Sequence, residues 1–504
     1  MRVSGTAKLL NACVWSSLLL PLPSAQANMA FTASEEPLNT IIITARRLEE
    51  SAQDVPISVT SIRGETLNQA GITTAQELQQ VVAGLQVAVP NPRLAQFTLR
   101  GLGSSSFNEG LESSVGLFVD GVYLGRQSMS ITDLIDIERI EVARGPQGTL
   151  FGKNATAGTI HVITQKPQFT PQALMEVSGG SEGTAQIRGT VTGPVNSTTA
   201  LRLTAWHNER EGLVDNQFNG ERYNDRHREG VRGQLLWAPT AKLSSRVIAE
   251  YSRLDERCCA FPLFGEPSKT VNARDEYVGY QRVSGNPFDR IADLNVRPSS
   301  QAEQYALSNE TQWDFDLRHR LVSLTAFRDF QFQPISGDNT ALDLVQGGTS
   351  SAQTQVSQEL RIDSRWRRAE SVLGLYVLNQ NTRGAEYGRL GQDLSQWVFG
   401  GLIRERIPFA DKNNTGLLLN TLIPPETLTG MEVRTPFQQK ATSVAAFGSL
   451  NWHATDQLDL SAGLRYTYEW KDTEVRRRRS GGNPNASPLA LTNNLALLAP
   501  LLGS

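Results

Sequence analysis

The sequence predicts an exported two-part protein, in which a small α+β domain precedes an antiparallel β-barrel that crosses a membrane. The N-terminus has the pattern of an export signal, and residues 51–166 mix strand, helix and glycine-rich patterns. From residue 173 onward, segments of roughly ten residues alternate apolar and polar side chains, which is typical of barrel strands. With 504 residues, the chain is long enough for two or more domains.

The overall composition excludes some classes of protein. The formal net charge of -3 gives no basic surface for nucleic acid. The hydrophobic fraction of 39% is too low for a bundle of membrane helices. It does not exclude a barrel, because only alternate residues of a barrel strand face lipid.

The first 27 residues are predicted to be a signal peptide. Arg2 and Lys8 supply the positive charge, residues 9–22 are uncharged and mostly apolar, and Ala25-Gln26-Ala27 is a small-x-small cleavage site. A membrane anchor is the alternative, which two prolines near the end of the apolar stretch disfavour. We therefore expect the mature chain to begin with a short periplasmic segment, residues 28–50.

Three cysteines are present, and Cys13 would be lost with the signal peptide. Cys258 and Cys259 are adjacent, so they cannot build a disulfide framework or a four-ligand zinc site. A vicinal disulfide in an exposed loop and two free thiols both remain open.

Residues 51–166 read as a compact domain of short elements. Thr74 to Val82 is predicted to be a short helix, in which Glu77 completes a capping pattern with Thr73 or Thr74. Strands are expected at residues 55–62, 97–100, 115–120, 137–142 and 159–164, with glycine and serine at the turns between them.

Residues 173–475 are predicted to form the N-terminal part of the barrel. Leu201 and Leu203 alternate with Arg202 and Thr204, so each pair belongs to one face of a sheet. A soluble β-sandwich would also alternate. The long strands and the unequal connections favour a barrel: residues 238–242 form a tight turn, whereas residues 255–302 and 385–440 read as long loops.

The glycine-rich segment at residues 141–164, EVARGPQGTLFGKNATAGTIHVIT, identifies a family. Together with Leu99-Arg100-Gly101 and residues 115–123 (VGLFVDGVY), it closely resembles the plug signature of TonB-dependent outer-membrane receptors. The resemblance covers essentially residues 38–470. It implies an α+β plug domain inside a transmembrane antiparallel β-barrel, active uptake across the bacterial cell outer membrane, and outer-membrane lipid around the barrel.

The plug signature contains residues that we expect to shape the plug rather than to contact cargo. Glycine and proline there give tight turns and close backbone approach. Arg100 and Arg144 are candidates for ion pairs with Glu138 and Glu141, within the plug or against the barrel wall. The predicted plug-shaping residues are Arg100, Gly101, Asp120, Gly121, Glu141, Arg144, Gly145, Pro146, Gly148, Gly152, Asn154 and Gly158.

A second segment resembles the TonB box, the sequence through which these receptors bind their energy-coupling partner. An extended, β-branched stretch near a mobile terminus can add as a strand to a partner protein. The first structural strand of the plug is the alternative reading. This coupling segment consists of Leu38, Asn39, Thr40, Ile41, Ile42, Ile43, Thr44 and Ala45.

By resemblance, cargo would bind on the outer side, between plug apices at residues 90–97 and 102–112 and the barrel loops. Ferric siderophores or other iron complexes are the cargo expected first; cobalamin, haem, glycans and aromatic compounds stay open. The candidate ligand contacts are Arg93, Phe97, Phe107 and Arg126. The expected partners are a TonB-type coupling protein and the ligand, with no nucleic acid.

Catalytic chemistry is not predicted. Residues 148–154 lack the spacing and the Ser/Thr of a phosphate-binding loop. Residues 179–183 match G-x-S-x-G, but they lie between two barrel strands rather than on a strand-to-helix turn. The five histidines show no ligand spacing, so neither an enzyme, a cofactor nor a metal site is expected.

The barrel itself is expected to be incomplete. About eleven candidate strands follow residue 172, whereas barrels of this family close with 22. An open half-barrel would leave two unpaired edges in lipid, and residues 476–504 read as an aberrant or disordered tail. The sequence therefore also allows a non-transporting receptor remnant or a structural β-domain, whereas the plug and the coupling segment disfavour a passive channel.

Overall fold

The computed structural model describes residues 42–44, 46–48, 50–53, 55–103, 110–130, 133–416 and 428–482, without the side chains of residues 93, 127 and 130. Several predicted features lie outside the described residues. These are the signal peptide, residues 38–41 and Ala45 of the coupling segment, Phe107, and the tail beyond residue 482.

Ten short strands occur among the described residues of the first part of the chain. They are β1 (Ile42–Ile43), β2 (Glu50–Ser51), β3 (Ser58–Arg63), β4 (Leu85–Ala88), β5 (Gln96–Leu99), β6 (Leu102–Gly103), β7 (Val115–Val119), β8 (Val122–Tyr123), β9 (Ile137–Arg144) and β10 (Gly158–Thr164). A five-stranded sheet of order β3-β9-β10-β7-β8 is the centre of this domain. Its β10–β7 pair is parallel and its other pairs are antiparallel. Strands β4, β5 and β6 form a second sheet, and β1 pairs with β2.

The helical elements of the plug are short. They are α1 (Gly64–Gln69), α2 (Gly148–Phe151) and 3-10 turns at Glu77–Gln80, Pro92–Leu94 and Gln127–Ser130. The helix expected over residues 74–82 is therefore shorter than predicted. The Glu77 carboxylate accepts hydrogen bonds from the backbone N–H groups of Thr73 (2.7 Å) and Thr74 (2.9 Å), as the capping pattern indicated. The chain then turns at Gly84, with positive φ, into β4, which leaves too few residues for a stable α-helix.

One apolar core holds the plug together and continues into the barrel. Phe97, Leu99 and Ile140 are almost completely buried in it, and Phe330 and Phe332 of the barrel wall belong to the same cluster. Burying a large apolar side chain contributes roughly 1.5–3 kcal/mol. The plug and the inner face of the sheet therefore share part of their hydrophobic stabilisation.

The second part of the chain forms one large antiparallel sheet. Eleven strands pair in the order in which they are named here, within the described residues. They are β11 (Gln172–Gly179), β12 (Ala185–Asn196), β13 (Thr199–Arg210), β16 (Arg226–Thr240), β17 (Leu243–Glu256), β19 (Ser299–Asp314), β20 (His319–Gly337), β21 (Val345–Trp366), β22 (Ala369–Leu390), β23 (Glu432–Thr455) and β24 (Leu458–Val475). A twelfth, β25 (Arg478–Ser480), pairs with β23. The predicted fold class, a plug with an antiparallel barrel sheet, is confirmed.

The connections between these strands differ in length on the two sides of the sheet. Turns of a few residues, such as the one between β16 and β17, define the short-turn side. The long-loop side holds the connections at residues 211–225, 257–298 and 391–431. The long loop predicted over residues 385–440 is thus shorter at both ends, because Arg389 still pairs with Glu432.

The long loops contain regular structure of their own. Strands β14 (Val214–Asn216), β15 (Arg222–Tyr223) and β18 (Ile291–Ala292) form a small sheet. The helices are α3 (Lys269–Val278), a π-helix at Gln396–Gly400, and α4 (Gly401–Arg406). In the described part of the chain, helices long and apolar enough to cross a membrane are absent.

The alternation along the strands separates two faces, as predicted. Leu201 and Leu203 are exposed, whereas Arg202 and Thr204 are buried against the plug. The apolar residues therefore form the outer face, and the polar residues form an inner face that surrounds the plug.

A buried histidine makes plug stability dependent on pH. The His161 ring stacks on Phe118, with centroids 4.7 Å apart, and meets the edge of Phe151 at 4.6 Å. Burial, with a smaller contribution from the Arg47 and Arg139 charges, lowers the pKa of His161 to about 3. The folded plug therefore disfavours the imidazolium form.

We expect the plug to lose stability as the pH falls from 7 to 5. The unfolded chain takes up a proton near pH 6.5 and the folded chain does not, so the free energy of unfolding should drop by about 2 kcal/mol. Urea unfolding followed by hydrogen exchange of β10 measures this. The dependence should disappear in His161→Gln and persist in His453→Gln, a control at an exposed histidine. Equal slopes in the two variants would contradict the assignment.

Candidate functional site

The plug is held inside the sheet by buried ion pairs. Asp136, just before β9, accepts a hydrogen bond from Nε of Arg202 (2.6 Å), a second from Nη2 of the same guanidinium, and one from the Thr204 hydroxyl (2.8 Å). Asp136 and Arg202 are both under one-tenth exposed. A bidentate guanidinium–carboxylate pair of this kind fixes both the distance and the orientation of its partners.

Two further plug carboxylates repeat the arrangement. Asp133 accepts from the Asn208 amide (2.9 Å) and from Arg228 (3.2 Å). Asp120 accepts from Arg246 at 3.3 Å and also from the backbone N–H and the hydroxyl of Thr164. The same inner face of β13, β16 and β17 thus supplies every cation of this set.

On the opposite side of the plug the charges are reversed. Arg47 donates to the Glu359 carboxylate of β21 at 2.8 Å, and Lys153 lies 2.8 Å from Glu469 of β24. Burial lowers the pKa of the Arg47 guanidinium. The plug therefore contacts both ends of the sheet through buried or half-buried charges.

The described part of the coupling segment lies on the plug. Ile42 and Ile43 form β1, which pairs over only two residues with β2. Ile43 is fully buried against Val55, whereas Ile42 is almost half exposed. The Thr44 backbone N–H donates to both oxygens of the Glu141 carboxylate, at 2.9 and 3.0 Å.

The ion pairs proposed for the plug signature are arranged differently. Glu138 and Glu141 both pair with Arg139, Glu141 at 2.8 Å. Arg144 instead donates to the Ala83 carbonyl oxygen (2.9 Å) and to the Thr60 hydroxyl (2.8 Å). Arg100 donates to the Ser58 hydroxyl at 3.2 Å. A left-handed backbone at Arg100 directs that side chain toward β3 and away from both glutamates.

Most of the predicted plug-shaping residues occupy turns. At Gly158 a Cβ atom would collide with the Ala143 carbonyl oxygen, and at Gly152 it would lie 2.8 Å from the Arg465 guanidinium. The Asn154 amide donates to the Tyr123 hydroxyl at 2.6 Å. Pro146 lies in the turn before α2, and Gly148 is the first residue of that helix. Eight of the twelve have a positive φ: Arg100, Gly101, Asp120, Gly121, Gly145, Gly152, Asn154 and Gly158.

A cavity of about 730 Å³ opens on the long-loop side. Its floor includes Asn91 and Leu94 of the predicted plug apex, and its walls include Tyr387, Phe332 and Arg477. Cys258 and Cys259 also line the cavity, and the structure joins them as a vicinal disulfide, which is one of the two states that the sequence left open.

The four candidate ligand contacts do not gather around this cavity. Phe97 is buried in the plug core, so its ring does not reach this cavity in the present conformation. Arg93 lies in the 3-10 turn at Pro92–Leu94 beside the cavity floor, and its side chain is outside the described residues. Phe107 is also outside them, and Arg126 is half-buried after β8.

A second cavity, of about 860 Å³, lies on the short-turn side. It separates the plug from the wall and is bordered by Ile42 and Thr44 of the coupling segment. Glu138, Glu310 and Asp363 also line it, together with several arginines. The coupling segment therefore lies next to a cavity that is lined by charged side chains and is large enough to hold water.

Sequence reasoning missed most of the residues that hold the plug. Asp120 was singled out, whereas Asp133, Asp136 and their arginine partners were not. A signal was present, because an arginine flanked by leucines on an alternating strand, as at Arg202, must face the polar side. Nothing local to the sequence indicated which plug residue each arginine would meet.

Comparison with known proteins gives consistent matches. A family described as "TonB-dependent Receptor Plug Domain" matches residues 51–159. The pesticin receptor of Yersinia pestis is 26% identical over 479 residues, which cover 93% of this chain and 60% of the relative. The vitamin B12 transporter BtuB of Vibrio vulnificus is 30% identical over 211 residues, 41% of this chain and 33% of the relative. The chain thus spans about 60% of the length of the receptors that it matches over most of its sequence.

Solved structures share the fold. The ferric yersiniabactin uptake receptor FyuA from Yersinia pestis superposes with a TM-score of 0.65 at 19% identity, covering 84% of this chain and 60% of that one. The ferripyoverdine receptor of Pseudomonas aeruginosa superposes with a TM-score of 0.63 at 16% identity, covering 88% of this chain and 56% of that one. The matched proteins are receptors and transporters rather than enzymes, in agreement with the expectation from the sequence.

Removing the Asp136 carboxylate should destabilise the seated plug. Asp136→Ala would leave Arg202 buried without its partner, and we expect a loss of about 3–5 kcal/mol in the free energy of unfolding. Urea titration of the refolded chain measures it. The matched control is Asp459→Ala, which breaks an exposed pair with His453 and should cost at most about 1 kcal/mol. The double variant Asp136→Ala/Arg202→Met should recover most of the loss, and no recovery would contradict the pairing.

Proposed function

Because this chain belongs to the family of TonB-dependent outer-membrane receptors, we propose that it serves energy-coupled uptake of an iron complex, with a ferric siderophore as the first candidate. The family places the chain in the bacterial outer membrane, as predicted from the sequence. The short-turn side then faces the periplasm and the long-loop side faces the exterior. Uptake would proceed with a TonB-type partner, which supplies the energy.

The attachment of the coupling segment carries this proposal. Strand β1 is held by a two-residue pairing and by the hydrogen bonds from Thr44 to Glu141. Such a short strand loses few hydrogen bonds when it leaves the plug. Its β-branched residues suit pairing with a strand of a partner protein, in which backbone hydrogen bonds give affinity.

Two features favour release of the segment toward the periplasm. The cavity of about 860 Å³ on the short-turn side borders Ile42 and Thr44, so the segment has open space beside it into which it can move once Ile43 leaves its packing against Val55. Glu141 is also the partner of Arg139. The carboxylate would therefore keep a cationic partner after Thr44 departs, which lowers the cost of release.

The outer cavity supports a small-molecule cargo. Its volume of about 730 Å³ is within the usual range for ligand sites of 300–1,000 Å³. The lining combines apolar and aromatic groups with Asn91 and Arg477, which suits a bulky chelate with polar or anionic edges. Two of the matched structures are receptors for ferric yersiniabactin and for ferripyoverdine, which supports an iron complex as the first candidate, with cobalamin as the alternative that the similarity to BtuB suggests.

Blocking strand formation at Ile42 should weaken binding of the coupling partner. Ile42→Pro removes a backbone N–H and fixes φ, so we expect at least a tenfold lower affinity for the periplasmic domain of a TonB protein. Biolayer interferometry with the purified full chain measures the affinity. Ile42→Val is the matched control and should bind like the parent chain. Equal binding by the proline variant would refute the coupling role.

The cargo can be tested at Tyr387, whose ring lines the outer cavity and whose hydroxyl donates to the Pro334 carbonyl oxygen at 2.5 Å. In a panel of ⁵⁵Fe-loaded siderophores, haem and cobalamin, we expect saturable binding of an iron complex. Tyr387→Ala should weaken it about tenfold or more, because buried aromatic side chains dominate binding sites. Tyr251→Ala, on the outer face, is the control. Binding of cobalamin alone, or equal effects of both variants, would exclude this assignment.

A further inference from the structure

Four polar side chains form a group on the outer face of the sheet, away from the plug. They are His207 and Glu209 on β13 and His227 and Glu229 on β16. His207 lies opposite Glu229, and Glu209 lies opposite His227, in the antiparallel register. In the described part of the chain, His207, Glu209 and His227 are the one group of three or more such residues with ligand atoms close enough to hold a metal ion.

This group lies on the outer face of the sheet, close to the ends of its two strands. Leu201 and Leu203 share its face of β13 and are exposed, so the four side chains point away from the inner face. The group lies next to the long-loop side, because β13 ends at Arg210 and β16 begins at Arg226. Above an apolar outer face, this is the level of the polar headgroups rather than of the hydrocarbon core.

The distances within the group fit metal coordination. The possible ligand atoms of His207, Glu209 and His227 lie within 4.8 Å of one another. Nε2 of His207 is 3.6 Å from Oε2 of Glu209, and the two imidazole centroids are 5.2 Å apart. Tetrahedral zinc with bonds of 2.0–2.2 Å separates its ligand atoms by about 3.4 Å, so small rotamer changes would complete the site.

Glu229 has a different place in the arrangement. Its Oε2 lies 3.9 Å from Nδ1 of His207, the nitrogen opposite to the one that faces Glu209. Metal-binding histidines commonly donate their second ring N–H to a carboxylate, which fixes the ring orientation. Arg253 of β17 lies across from Glu229 in the register, and it pairs with Asp255 at 3.2 Å.

An ordinary surface ion pair explains this group less well. A single exposed histidine–carboxylate pair would contribute at most about 1 kcal/mol and requires only two residues. Here two imidazoles and two carboxylates alternate in a square, and the four contain no lysine or arginine. Two imidazoles with a carboxylate are a donor set that suits zinc and similar ions.

We propose that His207, Glu209 and His227 bind a divalent transition-metal ion, with Zn²⁺ as the natural candidate. Glu229 positions the His207 ring through Nδ1, and a fourth coordination position stays open to water or another oxygen ligand. The ion joins β13 to β16 at the base of the loop at residues 211–225. No local spacing pattern predicts this site, because nineteen residues separate the two histidines and strand pairing brings them together.

Metal titration of the full chain tests this site. The chain is purified in detergent through a tag without histidine, stripped with EDTA and titrated with Zn²⁺ by calorimetry. We expect one high-affinity site, at least tenfold weaker binding in His227→Asn and in Glu209→Gln, and unchanged binding in His453→Asn. The last variant is the matched control, because His453 also contacts a carboxylate, Asp459, at 2.7 Å.

Two further measurements separate a built site from a merely acidic surface. Co²⁺ should give the intense visible absorption of a tetrahedral ion, lost in His227→Asn, and Glu229→Gln should weaken Zn²⁺ binding by roughly 10-fold as a positioning residue. Because all four residues are at least partly exposed, these variants should keep the far-ultraviolet spectrum of the parent. Equal affinity for Ca²⁺ and Zn²⁺, or Zn²⁺ binding that is independent of His227, would overturn the proposal.

Discussion

The pairing of plug carboxylates with arginines on the inner face of the sheet is the interaction on which the rest of this structure depends. The Asp136–Arg202 pair is buried and bidentate, so neither partner can move without leaving an unpaired charge in a low-dielectric interior. Asp133 and Asp120 repeat the contact on neighbouring strands. Buried pairs add little net stability over apolar packing, but they strongly disfavour every other position of the plug. They therefore set where the plug lies, and the apolar core supplies most of the stabilisation.

The coupling segment, in contrast to the plug, is held in its described residues by contacts that are weak and few. Its polar contacts join the backbone N–H and the hydroxyl of Thr44 to the Glu141 carboxylate, which also pairs with Arg139. Of its described residues, Ile42 to Thr44, Ile43 alone is fully buried, so its burial is the main apolar cost of release among them. Under the proposed coupling role, the difference in cost between these contacts and the Asp136 pair would let the segment leave while the plug remains in place.

The sequence predicted the features that depend on local residues, and it missed those that depend on partners distant in the chain. Asp120 and Asn154 have a positive φ because they lie in turns, and glycine-rich motifs in the sequence predict such turns. The alternation at Arg202 predicted its face, but the choice of Asp136 as partner required the folded plug. Arg144 shows the limit most clearly, because its sequence neighbours suggested a carboxylate and the fold gives it a carbonyl oxygen of Ala83. Charge complementarity alone does not fix pairing when backbone direction decides which group is within reach.

Strand β13 shows how a period of two lets one segment perform separate tasks. Its inner positions, Arg202 and Thr204, hold the plug through Asp136. Its outer positions include Leu201 and Leu203, which are suited to lipid, and then His207 and Glu209, which belong to the group that we assign to a metal ion. A shift of one residue in register would exchange these faces and place leucine against a buried carboxylate. The ion pairs that seat the plug therefore also fix the register of the strand, and this register is what brings His207 opposite Glu229 on the outer face.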